Sequence, residues 1–133
     1  MTGEPATFDL GGLANDIRRV ADRLRSLSAG QLAAPAPRFG SRTDAGRKAA
    51  QALADAAQGF EHSGAAESPG WRALPALSDF AVGDTVAVTG RDLIVAATGT
   101  RRNQQVWTRV GRRAAADVLS ELGELLTDVR RVL

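Results

Sequence analysis

The sequence predicts a mainly α-helical protein, an up-down bundle of about four helices forming one domain over residues 1–133. Three observations predict it. Leu10, Leu13, Ile17, Val20, Leu24 and Leu27 recur at alternating steps of three and four, the seam of a helix. Val106, Val110, Ala114, Val118, Leu122, Leu125, Val129 and Val132 keep a helical stripe to the other end of the chain. Between them alanine dominates, which favours helix and buries little area, so helices must approach closely to make a core.

The first helix is expected over residues 9–29, with Asp9 to cap its start and Gly30 to end it. Pro35, Pro37 and Gly40 make residues 31–42 a loop. Thr43 or Asp44 then caps a second helix reaching Phe60, with Ala49, Leu53, Ala56 and Phe60 on one face. A Ser-, Gly- and Pro-rich break covers residues 62–70.

Residues 71–100 support two readings. Ala76, Phe80, Gly83, Ala87, Gly90, Ile94 and Ala97 form a seam of mostly small residues, which favours a helix. Two interior glycines cost about 1 kcal/mol each, so close packing must compensate. The alternative is an α+β arrangement with a hairpin at 84–97: Thr85–Thr89 and Asp92–Ala97 are rich in β-branched residues around a Gly90-Arg91 turn. Residues 104–110 are the third strand such a meander would need, but they also read as the start of the last helix. That helix is expected over residues 105–133, with Ala115, Leu119, Leu126 and Leu133 widening its stripe. Arg130 and Arg131 suit its C-terminal dipole.

Composition restricts function. The chain has 133 residues, 17 basic and 15 acidic, for a net charge of +2, which describes a mixed, solvated surface. Lys48 is the only lysine. With no cysteine, disulfides, thiolate zinc sites and thiol catalysis are excluded. No signal peptide and no membrane-length apolar run is read in the sequence, so the cytoplasm is the default location, with non-classical export left open. His62 is the sole histidine and has no second ligand or triad partner. Asp84 and Asp92, eight residues apart in an apolar stretch, are the best carboxylate pair, and are better read as surface or ion-pairing groups. Neither glycine-rich phosphate motif is matched. The expectation is therefore no catalytic, metal or cofactor site.

Arg101, Arg102, Arg109, Arg112 and Arg113, with Trp107 to stack, are the candidate patch for nucleic acid or an acidic partner. Acidic residues follow closely, however, and no helix-turn-helix sequence accompanies the patch. Trp71 and Trp107 are expected at helix starts, where an aromatic anchors a loop. An exposed Trp71 with Leu74 and Leu77 would instead make a partner groove.

The leading Leu/Ile helix, Phe39-Gly40, the Ala-rich helix ending in Phe60, Trp71-Arg72-Ala73-Leu74 and the run from Leu77 through Gly83-Asp84-Thr85-Val86-Ala87 resemble, in order and spacing, the WXG100-like, ESX-associated helical proteins of actinobacteria. The resemblance covers roughly residues 8–90. It implies helical hairpins that pair as dimers and act as secreted substrates or adaptors rather than enzymes. The chain departs from that pattern in two places: Arg72-Ala73 follows Trp71 where the family has its Trp-x-Gly turn, and the tyrosine of the family's C-terminal export signal is missing. The function expected from all of this is a non-enzymatic interaction or adaptor module acting through helical faces, as a homodimer or with a helical partner. An Arg-mediated nucleic-acid binder is the alternative.

Overall fold

The computed structural model describes residues 8–133; the start of the chain, where a leader was sought, lies outside them. Among the described residues the protein is mainly helical, with two small antiparallel hairpins. In chain order the elements are α1 (Gly11–Ser26), α2 (Ala29–Ala33), β1 (Pro35–Ala36), β2 (Gly40–Ser41), α3 (Arg42–Glu61), α4 (Val82–Ala97), β3 (Gln105–Thr108), β4 (Gly111–Ala114) and α5 (Ala115–Val132). A 3-10 turn, Asp79–Ala81, leads into α4.

α1 follows its seam, burying Ile17, Val20, Ala21 and Leu24. It stops at Ser26, short of the expected residue 29. Ser28 begins a separate short helix: its hydroxyl accepts from the Gln31 N–H at 3.2 Å while the Gln31 amide oxygen accepts from the Ser28 N–H at 2.9 Å. Gly30 therefore lies inside α2 and ends nothing. The same reciprocal cap starts α3, between Ser41 and Asp44. The capping hydroxyl is thus two residues before Thr43, whose own hydroxyl donates to the Leu32 carbonyl at 3.2 Å.

α3 lies at the centre. Its alanines 45, 49, 50, 56 and 57, with Leu53 and Phe60, are all buried, as helices approaching at short range require. α4 packs against α3 and α1, and α5 packs against the same two helices from elsewhere. Gly46 of α3 lies against Val82, while Gly83 and Gly90 of α4 lie against Ala21 and Ile17 of α1. Arg42 at the start of α3 donates to the Val132 carbonyl at the end of α5. Increasing residue numbers therefore run antiparallel between α1 and α4, while α3 and α4 start at the same end. A strict up-down alternation gives way there, because the crossover of residues 62–81 carries the chain back before α4 begins.

That crossover has almost no regular structure of its own, and two glutamines of α3 hold it. Gln58 donates to the Gly70 carbonyl at 3.1 Å and accepts from the Arg72 N–H at 3.1 Å. Gln51, two turns earlier, donates to the Arg72 carbonyl at 3.0 Å and accepts from the Leu74 N–H at 2.9 Å. Each side-chain amide supplies the donor and acceptor that a neighbouring strand would otherwise provide.

The hairpin alternative at 84–97 is overturned: that segment is α4. Val82, Val86, Leu93 and Ala97 are buried at helical spacing. The hydroxyls of Thr85 and Thr89 donate back to the carbonyls of Ala81 and Thr85, so the buried Thr89 leaves no orphan. The two glycines meet α1, as the helix reading required. Ala76 and Phe80, by contrast, are exposed, because the buried seam is carried by Val82 and Val86.

The hairpin occurs instead at 105–114, where the last helix was expected to begin. β3 and β4 pair from Gln105–Ala114 to Thr108–Gly111, with Arg109-Val110 at the tip and Gly111 at φ 119°. Gly59 makes the docking possible: a Cβ there would collide with the backbone carbonyl of Trp107, so β3 lies directly on the α3 backbone. α5 then begins at Ala115 and buries Val118, Leu119, Leu122, Leu126 and Val129.

Candidate functional site

The five arginines singled out from sequence do not form one free cationic patch. Arg109, at the hairpin tip, closes on Asp55 with Nε–Oδ2 2.7 Å and Nη2–Oδ1 3.0 Å. It also lies 5.4 Å from the Trp71 ring. Arg113 makes a two-pronged pair with Glu121 at 2.7 and 2.6 Å. These hydrogen bonds raise both guanidinium pKa values and hold the Glu121 carboxyl below its ordinary range. Arg112 stacks on Trp107 at 4.5 Å and donates to the carbonyls of Ser63 and Ala65. Arg101 and Arg102 are exposed, and Arg102 lies over Phe8 at 5.1 Å.

Together these contacts pin the hairpin over a groove of ≈ 410 Å³ between α3 and α5. Ala52, Ala56, Leu122 and Leu125 line it together with both tryptophans. Trp107 is on a strand rather than at a helix start, with its indole donating to the Ala65 carbonyl at 3.1 Å. Trp71 belongs to the crossover and is half-buried. The rim charges are matched carboxylate to guanidinium, so the groove carries no open cationic seat.

The carboxylate and histidine candidates lie apart. Asp84 accepts from Arg25 Nε at 2.8 Å, and this bond raises the arginine's pKa. Asp92 is exposed near the end of α4, beside a recess lined by Glu61 and Arg72. His62 caps the end of α3, where its Nδ1–H donates to the Gln58 carbonyl at 3.0 Å.

The surface that sequence reasoning missed is the outward face of α4. This helix carries only three charged residues, Asp84, Arg91 and Asp92. Val88 is 59 % exposed and Val95 70 % exposed, and Phe80, just before the helix, is 67 % exposed. Phe80, Asp84, Val88, Arg91 and Val95 follow one another at steps of four, four, three and four. On an ideal helix that places them within an arc of about 80°. The favoured helix reading of this stretch ran its seam through Ala76, Phe80, Gly83, Ala87, Gly90, Ile94 and Ala97, so it gave no sign that Val88 and Val95 stay exposed.

No protein-family model, curated protein or solved structure matches this chain. Among the described residues no helix is long and apolar enough to cross a membrane.

Proposed function

We propose that this protein is a non-enzymatic interaction module that works through the outward face of α4, against a helix of a second copy or of another chain. The observation that carries the reading is the exposure of Phe80, Val88 and Val95 along a helix whose opposite side is fully packed. A solvated helix face ordinarily carries charges at such positions, and aligned valines there lose free energy in water that a partner would restore. Three of the five candidate arginines are occupied by acids, carbonyls or a tryptophan within the chain, which leaves little to favour a polyanion. The helical composition shared with the WXG100-like group is compatible with this reading and carries none of it.

The test is purification of the wild-type chain and of the Val88→Asp/Val95→Asp variant, with the stoichiometry of every bound chain measured. A stable complex, with itself or another polypeptide, is expected for the wild type and lost in the variant. A complex the variant keeps, or nucleic acid that co-purifies and leaves at high salt, overturns the proposal.

A further inference from the structure

Resting on that reading of α4, we infer that the partner is a second copy of this chain, its α4 lying antiparallel across the first. The outward stripe is self-complementary when reversed. With a two-fold axis between Ala87 and Val88, Phe80 of one chain meets Val95 of the other, Asp84 meets Arg91, and Val88 meets the half-buried Ala87 at the edge of the stripe. Each of these contacts occurs twice, as an isologous interface requires.

Charge favours this arrangement over a parallel one. A parallel pairing in register would set Asp84 against Asp84 and Arg91 against Arg91, both repulsive. In the antiparallel pairing the only two charges on the stripe neutralise each other. Arg91 has no ion-pair partner among the described residues, and Asp84 is prepared for one. Arg25 Nε binds Asp84 Oδ1 at 2.8 Å, which orients the carboxylate while its other oxygen remains available. The Asp84 side chain is 71 % exposed despite that bond, so Arg91 of the second copy can reach it. The valines, alanine and phenylalanine between and beyond these charges supply the apolar part of the contact.

The experiment measures self-association of the full chain by sedimentation equilibrium, alongside Asp84→Lys, Arg91→Glu and an equimolar mixture of the two. Far-UV circular dichroism verifies that each remains folded. The wild type is expected to dimerise, and each single variant to do so about ten-fold more weakly or worse, because each then brings like charges together twice. The mixture regains the dimer. The lysine introduced in one chain faces the glutamate introduced in the other, and the unchanged Arg91 and Asp84 meet at the second contact. Cross-linking gives an independent readout in a chain without cysteine. Phe80→Cys mixed with Val95→Cys forms a disulfide-linked heterodimer. Neither variant alone does so, because like positions would be about 22 Å apart along the helices and a disulfide needs Cα atoms within about 7 Å.

A wild type that remains monomeric overturns the self-pairing alone. A wild-type dimer that the mixture fails to restore, or that cross-links through Phe80→Cys alone, overturns the antiparallel register. A dimer indifferent to Val88→Asp/Val95→Asp overturns the α4 reading as well.

Discussion

Arg109 at the tip of the second hairpin and Asp55 in the middle of α3 form a two-bonded ion pair at 2.7 and 3.0 Å, across 54 residues of sequence. It fastens the tip of the hairpin, while Gly59 lets β3 lie on the α3 backbone at Trp107. Asp55→Asn keeps the size of the side chain and removes its charge. The backbone amides of Val106 and Arg113 should then exchange with solvent faster, while far-UV circular dichroism stays unchanged. Unaltered hairpin protection would show that backbone docking alone holds it.

Gly59 itself is the more severe test of that docking. In Gly59→Ala the new methyl group collides with the Trp107 carbonyl, and neither partner is a flexible side chain that could move aside. A loss of about 3 kcal/mol in urea unfolding is expected, with the red shift in tryptophan fluorescence that a displaced β3 would give.

Gln58 makes a separable prediction for the crossover. Gln58→Met keeps the volume but leaves the Gly70 carbonyl and the Arg72 N–H without their partner. With Gln58 buried, the cost should be about 1–3 kcal/mol in urea unfolding. Faster exchange at Arg72 and Leu74 should accompany it, the second through loosening of the neighbouring Gln51 clamp.

The acid side of the stability curve should depend on Asp44. The Ser41 backbone N–H, then its hydroxyl bond, hold the Asp44 carboxyl below its ordinary range. A carboxyl depressed by folding contributes stability that is present above its unfolded pKa and lost as pH falls through the folded value. The gap in stability between the wild type and Asp44→Ala should therefore be open at neutral pH and narrow progressively below about pH 4. Urea titrations at both pH values measure it; a gap that widens in acid contradicts the assignment.

The helices were legible where burial and period agreed. Ile17, Val20 and Leu24 marked α1, whose buried residues keep to one face, and Ala49, Leu53, Ala56 and Phe60 marked one face of the central α3, whose other alanines are buried as well. Residues 105–114 were not legible, since Val106, Val110 and Ala114 satisfy a four-residue helical step and also fit a hairpin whose tip is Val110. The positive φ at Gly111, which decides for the hairpin, leaves no periodic trace. The break between α1 and α2 was readable in Ser28-x-x-Gln31, but Leu27 continued the leucine seam across it. The groove's Arg109 and Arg113 were singled out as part of a basic cluster around Trp107, yet their acids lie in other elements: Asp55 is 54 residues from Arg109, and they meet where Gly59 seats β3 on α3. The α4 face needed the structure, because valines at 88 and 95 look like core until Val82, Val86 and Leu93 are seen to occupy it.

Pairing of two copies through α4 is read most directly by size-exclusion chromatography with light scattering on the wild type and on Val88→Asp/Val95→Asp, at low and high salt. A nucleic-acid-free wild type approaching the mass of two chains as concentration rises is expected, with a folded variant that stays at the mass of one. Equal masses for the two proteins at every concentration would contradict the pairing of two copies through α4.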